Sequence, residues 1–290
     1  MLNLAHVRSF LTIIDTKGVR SAATALELAP STIVEHIKQL EQDLAAPLLV
    51  RKYGAARPTP PGLRFLPYAR ALVGTASRVK DLIHQPLLRL AAASNVGIYL
   101  LQPRIADFRR QTGIEVEMWI GPNPQVAERL ERGEADVAAM EWWDDRAGFA
   151  ASTWIRESLV VIVAPDHPWA ALQAIAPEEL PNEILLGGEP GSGTGRVLRE
   201  QLGAVAERLH TRSGLGSTEA VKRAVQAGHG VSIVMNSSVA DEVANGRLVA
   251  LPIEGASLVK NIKLVVADLL PSASPAARLV DACCTEGTLG

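Results

Sequence analysis

The feature that most constrains the fold is the amphipathic stretch at residues 30–44, PSTIVEHIKQLEQDL. Its apolar side chains recur with the spacing of one helix face: Ile33, Ile37, Leu40 and Leu44. Pro30 suits the first helical position, where its missing N–H would have been unpaired anyway. The opposite face carries hydrogen-bonding side chains that could contact base edges in a major groove, although ordinary surface helices share this pattern. The stretch therefore predicts a helix and leaves its role open.

The sequence on either side of this helix indicates which kind of domain contains it. Residues 7–14 carry an apolar stripe, and residues 22–28 form a second short helix rich in small side chains, which lets helices approach closely. Few residues separate that helix from Pro30, which is the spacing of a helix-turn-helix. Downstream, residues 47–51 read as a strand and residues 51–57 as a basic loop. The whole segment predicts a winged helix-turn-helix.

Residues 1–70 resemble the N-terminal domain of LysR-type transcriptional regulators. The resemblance rests on these residues: Phe10, Ala22, Ala23, Leu26, Ile37, Leu40, Glu41, Leu44, Pro47, Leu48, Arg51, Thr59, Gly62, Tyr68, Ala69 and Arg70. The chain departs from the family at residues 29–31, Ala-Pro-Ser instead of Ser-Gln-Pro, and at residues 34–35, Val-Glu instead of Ser-Arg. The resemblance therefore implies the fold and DNA binding, and leaves the operator sequence open.

The candidate DNA contacts lie on the predicted recognition helix and the wing: Ser31, Thr32, Val34, Glu35, Lys38, Arg51, Lys52 and Arg57. In the family, an arginine at the position of Arg51 meets a phosphate. Glu35 has two interpretations. Its carboxylate could accept a hydrogen bond from a cytosine amine, or it could merely pair with Lys38 or Gln39 on the helix surface.

Charge distribution and cysteine content indicate the domain organisation and the cellular compartment. Residues 1–90 carry 12 Lys and Arg against 6 Asp and Glu, whereas the remaining 200 residues carry 17 against 25. A basic front and an acidic back suit a DNA-binding domain joined to a second domain, as the length also suggests. The adjacent Cys283 and Cys284 form neither a disulfide framework nor a zinc site. With no signal peptide and no long apolar run, we expect a cytoplasmic protein without a membrane partner.

Residues 60–85 read as one long helix with an apolar stripe longer than a single short domain needs. Pro67 is expected to kink or weaken it. Such a helix is either a dimer seam or a helix packed on its own domain. In the LysR family, the corresponding segment is a linker helix that pairs two subunits.

From residue 87 onward, strands and helices alternate, which predicts a mostly parallel α/β sheet. The order of elements resembles the regulatory half of LysR-type proteins, which is similar to a two-lobed periplasmic binding protein. The resemblance implies that the chain crosses between lobes near residues 163–166 and 260–265. The predicted domains are a winged helix-turn-helix, a linker and dimerisation helix, and an effector domain: 1–60, 61–86 and 87–290, with lobe I at 87–163 and 264–290 and lobe II at 164–263.

Ligands of α/β sheets bind beyond the carboxyl ends of the strands. The candidate effector residues follow predicted strands or open predicted helices: Ser94, Asn95, Asn123, Glu141, Ser192, Gly193, Thr194 and Ser217. The glycine-rich turn at residues 188–195 lacks the lysine of a phosphate-binding P-loop. It can either hold an effector carboxylate on backbone amides or simply cap a helix. Trp142 and Trp143 could stack on an effector or pack under a loop.

The six histidines show no metal-ligand spacing, and no catalytic constellation is evident. We therefore predict no catalytic residues, no metal and no other cofactor. The interpretation is a LysR-type bacterial regulator whose promoter binding responds to a small-molecule effector. Its predicted partners are double-stranded operator DNA, that effector and further copies of itself, as a dimer and then a tetramer. The alternatives are a solute-binding protein and a small-molecule enzyme on a periplasmic-binding-like scaffold.

Overall fold

A computed structural model describes residues 1–290 except 53–54, 85–86, 189–190, 269 and 287–290. Within this part of the chain, no helix is both long enough and apolar enough to cross a membrane.

The N-terminal domain is a winged helix-turn-helix, as the sequence predicts. Its elements are α1 (Leu4–Thr16), α2 (Val19–Leu26), α3 (Pro30–Asp43), β1 (Leu49–Lys52) and β2 (Ala55–Pro58). Phe10 of α1 and Leu40 of α3 are fully buried in one cluster, and Ile13, Ala22 and Ile33 join all three helices in another. The strands β1 and β2 pair antiparallel. The buried face of α3 is therefore the apolar face read from the sequence, and its polar face is left outward.

The long helix α4 (Pro60–His84) leads out of this domain and continues through Pro67. Its apolar residues do not form one stripe. Leu66 and Val73 pack against the N-terminal core, whereas Tyr68, Leu72 and Val79 lie about 40–50% exposed. Helical spacing puts these last three on one face. The helix thus packs on its own domain with one side and presents a second apolar side outward.

Close backbone contact also joins α4 to the C-terminal half of the same chain. A Cβ atom on Gly74 would lie 3.0 Å from the Cα atom of Gly133, and one on Gly133 would lie 2.9 Å from that of Gly74. Only glycine at both positions permits this approach. The contact fixes how the DNA-binding half sits on the first lobe.

The C-terminal half is a mixed α/β structure. Its strands are β3 (Leu87–Ala93), β4 (Glu115–Gly121), β5 (Val137–Met140), β6 (Phe149–Val163), β7 (Ile184–Leu186), β8 (His210–Arg212), β9 (Ser232–Met235), β10 (Val249–Leu251) and β11 (Val259–Ala267). Its α-helices are α5 (Leu101–Thr112), α6 (Asn123–Glu131), α7 (Gly193–Leu202), α8 (Ala204–Glu207), α9 (Thr218–Gln226), α10 (Ala240–Ala244) and α11 (Pro275–Glu286). A π-helical turn at Val96–Leu100 precedes α5, and short 3₁₀ helices lie at Pro168–Ala171, Pro177–Asn182 and Asn236–Ser238.

The expectation of a mostly parallel sheet was wrong. The main strand order is β10-β6-β11-β5-β3-β4, with β9 also paired to β6. Among the strands of the described residues, β3 pairs in parallel with β4 and β5, and β7 with β8, whereas the pairs made by β6 and β11 are antiparallel. The reason is that β6 and β11 are long strands that carry the chain to the second lobe and back.

Each lobe has buried apolar clusters of its own. Leu90, Val137, Ile262 and Leu279 lie in the first lobe, and Val161, Leu180, Leu185 and Ile233 lie in the second. Along β6, residues 149–158 pair with β11 and residues 159–163 pair with β9 or β10. The strand therefore passes between the lobes earlier in the chain than residues 163–166, and the exact domain limits stay a prediction.

Candidate functional site

A cavity of about 450 Å³ lies between the two lobes. The ends of β3 and β5 meet the starts of α6, α7 and α9 around it. Every effector-site residue predicted from the sequence lines this cavity: Ser94, Asn95, Asn123, Glu141, Ser192, Gly193, Thr194 and Ser217. Their contact with an effector stays a prediction, but the structure brings them together in one place.

Polar contacts across the cavity tie one lobe to the other. The Thr218 hydroxyl at the start of α9 donates to Asn95 Oδ1 over 2.7 Å. The Tyr99 hydroxyl donates to Glu219 Oε1 over 2.6 Å. The Arg196 guanidinium lies 4.7 Å from the centre of the Trp142 ring. These contacts join the two lobes across the cavity.

Asn95 extends this bridge to the floor of the cleft. Its amide nitrogen donates to Glu141 Oε1 over 3.1 Å, and Lys260 Nζ lies 2.5 Å from Glu141 Oε2. Lys260 belongs to β11 and is 2% exposed. Thr218, Asn95, Glu141 and Lys260 thus form one continuous polar chain through both lobes.

Several predicted residues have structural roles within the site. Asn123 accepts the backbone N–H of Glu141 at Oδ1 and donates from Nδ2 to the carbonyl of Trp142, over 2.9 and 3.0 Å. Ser192 caps α7 by accepting from the N–H of Gly195, and Ser217 caps α9 by accepting from the N–H of Ala220. The capping interpretation of Ser192 is therefore present in the structure, while anion binding at this turn stays a prediction.

The adjacent Trp142 and Trp143 have different surroundings. Trp142 lines the cavity. Trp143 packs edge-on against Phe149, with ring centres 5.9 Å apart, in the core of the first lobe. Of the two interpretations drawn from the sequence, stacking in the cleft remains open for Trp142, and packing applies to Trp143.

Sequence reasoning missed a buried lysine behind the cleft. Lys222 Nζ lies 2.6 Å from Glu219 and 3.1 Å from Glu242, and it donates to the carbonyl of Ser238. The Lys222 ammonium also lies 5.2 Å from the centre of the Tyr99 ring. Burial, and then the Glu219 carboxylate, raise the pKa of Tyr99, so its hydroxyl stays a hydrogen-bond donor. Glu219 and Lys222 lie three residues apart on α9, which is a local helical spacing. Tyr99, Ser238 and Glu242 come from other elements, so the sequence carries no spacing signal for their part of the network.

On the DNA-binding half, α3 presents its polar face to solvent. Ser31, Val34, Glu35 and Lys38 are exposed and Thr32 is half-buried. Glu35 accepts a hydrogen bond from Gln39 over 2.9 Å, which is the surface pairing considered above. Arg57 on β2 is also exposed. The side chains of Arg51 and Lys52 lie outside the described residues.

Glu41 connects α3 to the wing. Its Oε1 accepts the backbone N–H groups of Leu48 and Leu49 over 2.6 and 3.1 Å. On the other side of α3, His36 Nδ1 lies 2.8 Å from the hydroxyl of the buried Ser9, and its ring packs against His6. Burial and then the neighbouring His6 lower the pKa of His36.

Comparison with known protein families gives two matches. The model described as "LysR substrate binding domain" matches residues 84–287, and "Bacterial regulatory helix-turn-helix protein, lysR family" matches residues 4–63. Among relatives, the putative HTH-type transcriptional regulator protein PtxE of Stutzerimonas stutzeri is 39% identical over 197 residues, covering 67% of this chain and 100% of the relative. The HTH-type transcriptional regulator CbbR of Sinorhizobium medicae is 30% identical, covering 87% of this chain and 83% of its own.

Solved structures show the same fold. Full-length LysG of Corynebacterium glutamicum, with bound effector Arg, has a TM-score of 0.67 at 19% identity, covering 99% of this chain and 98% of that one. The CcmR regulatory domain of Synechocystis, in complex with 2-PG, has a TM-score of 0.61 at 23% identity, covering 71% and 99%. At these identities the likeness extends to the fold alone.

Proposed function

This chain belongs to the LysR family of bacterial transcriptional regulators, and on that premise we propose how its parts divide the work. The helix α3 and the wing bind operator DNA. The cavity between the lobes binds a small-molecule effector. Effector binding there shifts the relative position of the lobes, which changes the arrangement of the DNA-binding domains and thereby promoter affinity.

The observation that carries the proposal is the cavity itself. Residues chosen from the sequence as effector contacts, from both lobes, line a single space of about 450 Å³. That is a volume suited to a small metabolite. The bonds from Thr218 to Asn95 and from Tyr99 to Glu219 couple occupancy of this space to the relative position of the lobes. An effector shifts that position only if it binds one arrangement more tightly than another.

On the DNA side, we propose that paired copies of α3 enter successive major grooves about one helical turn apart. Ser31, Thr32, Val34, Glu35 and Lys38 face the base edges there. Arg51, Lys52 and Arg57 meet phosphates, which fix the register without reading sequence. The excess of basic over acidic side chains in residues 1–90, 12 against 6, supports this division.

We further propose a dimer paired through α4, and a tetramer built as a dimer of dimers. Support comes from the exposed apolar face of α4 that Tyr68, Leu72 and Val79 form, which its own domain leaves uncovered. Burying such a face is the usual reason for an amphipathic helix to pair. The protein acts in the bacterial cytoplasm, on double-stranded promoter DNA.

The test is a selection of genomic DNA by the purified full-length chain. We expect recovery of a partly palindromic site, with an affinity that falls as salt rises. A Ser31→Glu, Lys38→Glu variant should lose this selection, whereas Gln111→Glu, exposed on the distant helix α5, should keep it. Equal recovery of sites by the α3 variant and the wild type would contradict the assigned DNA-binding face.

A further inference from the structure

The Glu141 carboxylate occupies an unusual position for a residue of a ligand cleft. It leaves the end of β5 in lobe I, and its two oxygens already meet donors from Asn95 and Lys260. Lys260 is almost fully buried where β11 passes between the lobes. The side chain of Glu141 is 11% exposed. The carboxylate is therefore held inside the cleft and not directed toward bulk solvent.

The same carboxylate faces the first residue of α7 in lobe II. A Cβ atom on Gly193 would lie 2.2 Å from Glu141 Oε2, so only glycine leaves room for the oxygen there. The start of this ten-residue helix carries the positive end of the helix dipole. A buried ammonium, an amide donor and a helix start thus converge on one position, and a carboxylate from the protein fills it.

The lysine cannot be left alone in this position. A buried ammonium that loses its partner retains the cost of desolvation, so a charged Lys260 favours a replacement anion when Glu141 withdraws. Glu141 is attached to lobe I, whereas Gly193 is attached to lobe II. Exchange of this carboxylate for another anion would therefore replace the group of lobe I that lies against the start of α7 in lobe II.

We propose that Glu141 is an internal occupant of an anion site, and that the effector is a small anion whose carboxylate or phosphate-type oxyanion takes its place on Lys260 and the start of α7. The inference rests on the proposed role of the cleft as the effector site. It adds the chemical class of the effector and makes its binding a competition with the protein's own carboxylate. Glu141 is the anion that the structure shows on Lys260.

Chemical rescue of a full-length Glu141→Ala variant tests this directly. The substitution removes the internal carboxylate and leaves Lys260 and a space of carboxylate size. Sodium formate, acetate and inorganic phosphate are compared with sodium chloride at equal ionic strength, using thermal unfolding and calorimetry. We expect formate or acetate to raise the melting temperature of Glu141→Ala and to bind it at least about tenfold more tightly than the wild type.

Two controls separate the site from general salt effects. Glu141→Ala combined with Lys260→Met should lose the response to formate, because the buried charge is gone. Glu117→Ala removes an exposed carboxylate, with 66% of its side chain accessible, and should respond to anions as the wild type does. If Glu141→Ala does not fold in chloride, its recovery on refolding in formate becomes the measurement. The neutral Glu141→Gln, Lys260→Met variant then reports whether the site tolerates losing both charges.

Two results would overturn the proposal. One is equal anion binding by the wild type and Glu141→Ala. The other is a Glu141→Ala variant that no anion stabilises or refolds although Glu141→Gln, Lys260→Met folds. Neither measurement needs the natural effector. A failure here would therefore exclude the anion site while leaving the cleft open as the binding site for an uncharged effector.

Discussion

Removal of the Glu41 side chain should loosen the wing without unfolding α3. The substitution Glu41→Ala deletes a carboxylate oxygen that accepts two backbone N–H groups, those of Leu48 and Leu49, just where β1 begins. Hydrogen bonds to a charged group contribute about 1.5–3 kcal/mol, and less where solvent can replace the acceptor. Since Glu41 is half-buried and solvent can partly replace it, we take about 1 kcal/mol for each bond, or about 2 kcal/mol for the pair.

This free energy predicts a rate that can be measured. If the free energy of local opening falls by about 2 kcal/mol, amide exchange becomes about 30-fold faster. This acceleration should be confined to the segment around β1. Hydrogen–deuterium exchange followed by mass spectrometry of peptides spanning residues 45–50 reports it. The matched control is Gln42→Ala, an exposed neighbour on the same helix, which should leave exchange unchanged. Unchanged exchange at Leu48 and Leu49 in Glu41→Ala would refute the assignment of these two hydrogen bonds as the anchor of the wing.

Three further substitutions test other parts of the account. Leu72→Glu places a charge on the exposed apolar face of α4 and should lower the sedimentation coefficient. Leu63→Glu, exposed on another side of that helix, should leave the coefficient unchanged. Equal sedimentation of both variants would remove this face from the dimer interface. Glu35→Ala should relax preference at one base pair per half-site by about 1–3 kcal/mol, and a binding-site selection that returns identical motifs would leave Glu35 only its bond to Gln39. Because the pKa of His36 is lowered in the folded chain, the unfolded chain takes up a proton first as pH falls below about 6.5, so stability decreases in that range. After correction for the intrinsic exchange rate, which itself falls on acidification, the protection of α1 and α3 amides should decrease more in the wild type than in His36→Gln. The same pH dependence of protection in both would exclude His36 as the source.

The helix-turn-helix was predictable because its signals are local. Periodicity, Pro30 and the short connection between helices specify α2 and α3 within a few residues of sequence. The candidate effector residues were found for a related reason. Polar residues that follow strands in an α/β fold gather at one edge wherever the strands run together.

Features that depend on distant pairing were not accessible in the same way. The antiparallel pairing of β6 with β11 joins strands that most of lobe II separates in the sequence. Neither strand's own residues indicate whether it runs parallel or antiparallel to its neighbour. Lys260 reads as an ordinary strand residue, yet the fold places its ammonium against Glu141 in the cleft. The division of α4 into a packed and an exposed apolar face likewise depends on where its own domain ends.

The claim that the cleft controls DNA binding is tested most directly by one comparison. Fluorescence anisotropy on the selected operator is measured for the wild type and Ile98→Trp while fractions of a cellular metabolite extract are added. Ile98 lines the cavity and is 46% exposed, so the larger ring fills space without disturbing a core. Leu172→Trp, equally exposed but away from the cavity, is the control. We predict a fraction that changes operator affinity of the wild type and Leu172→Trp but not of Ile98→Trp. An equal response in all three proteins would contradict the account.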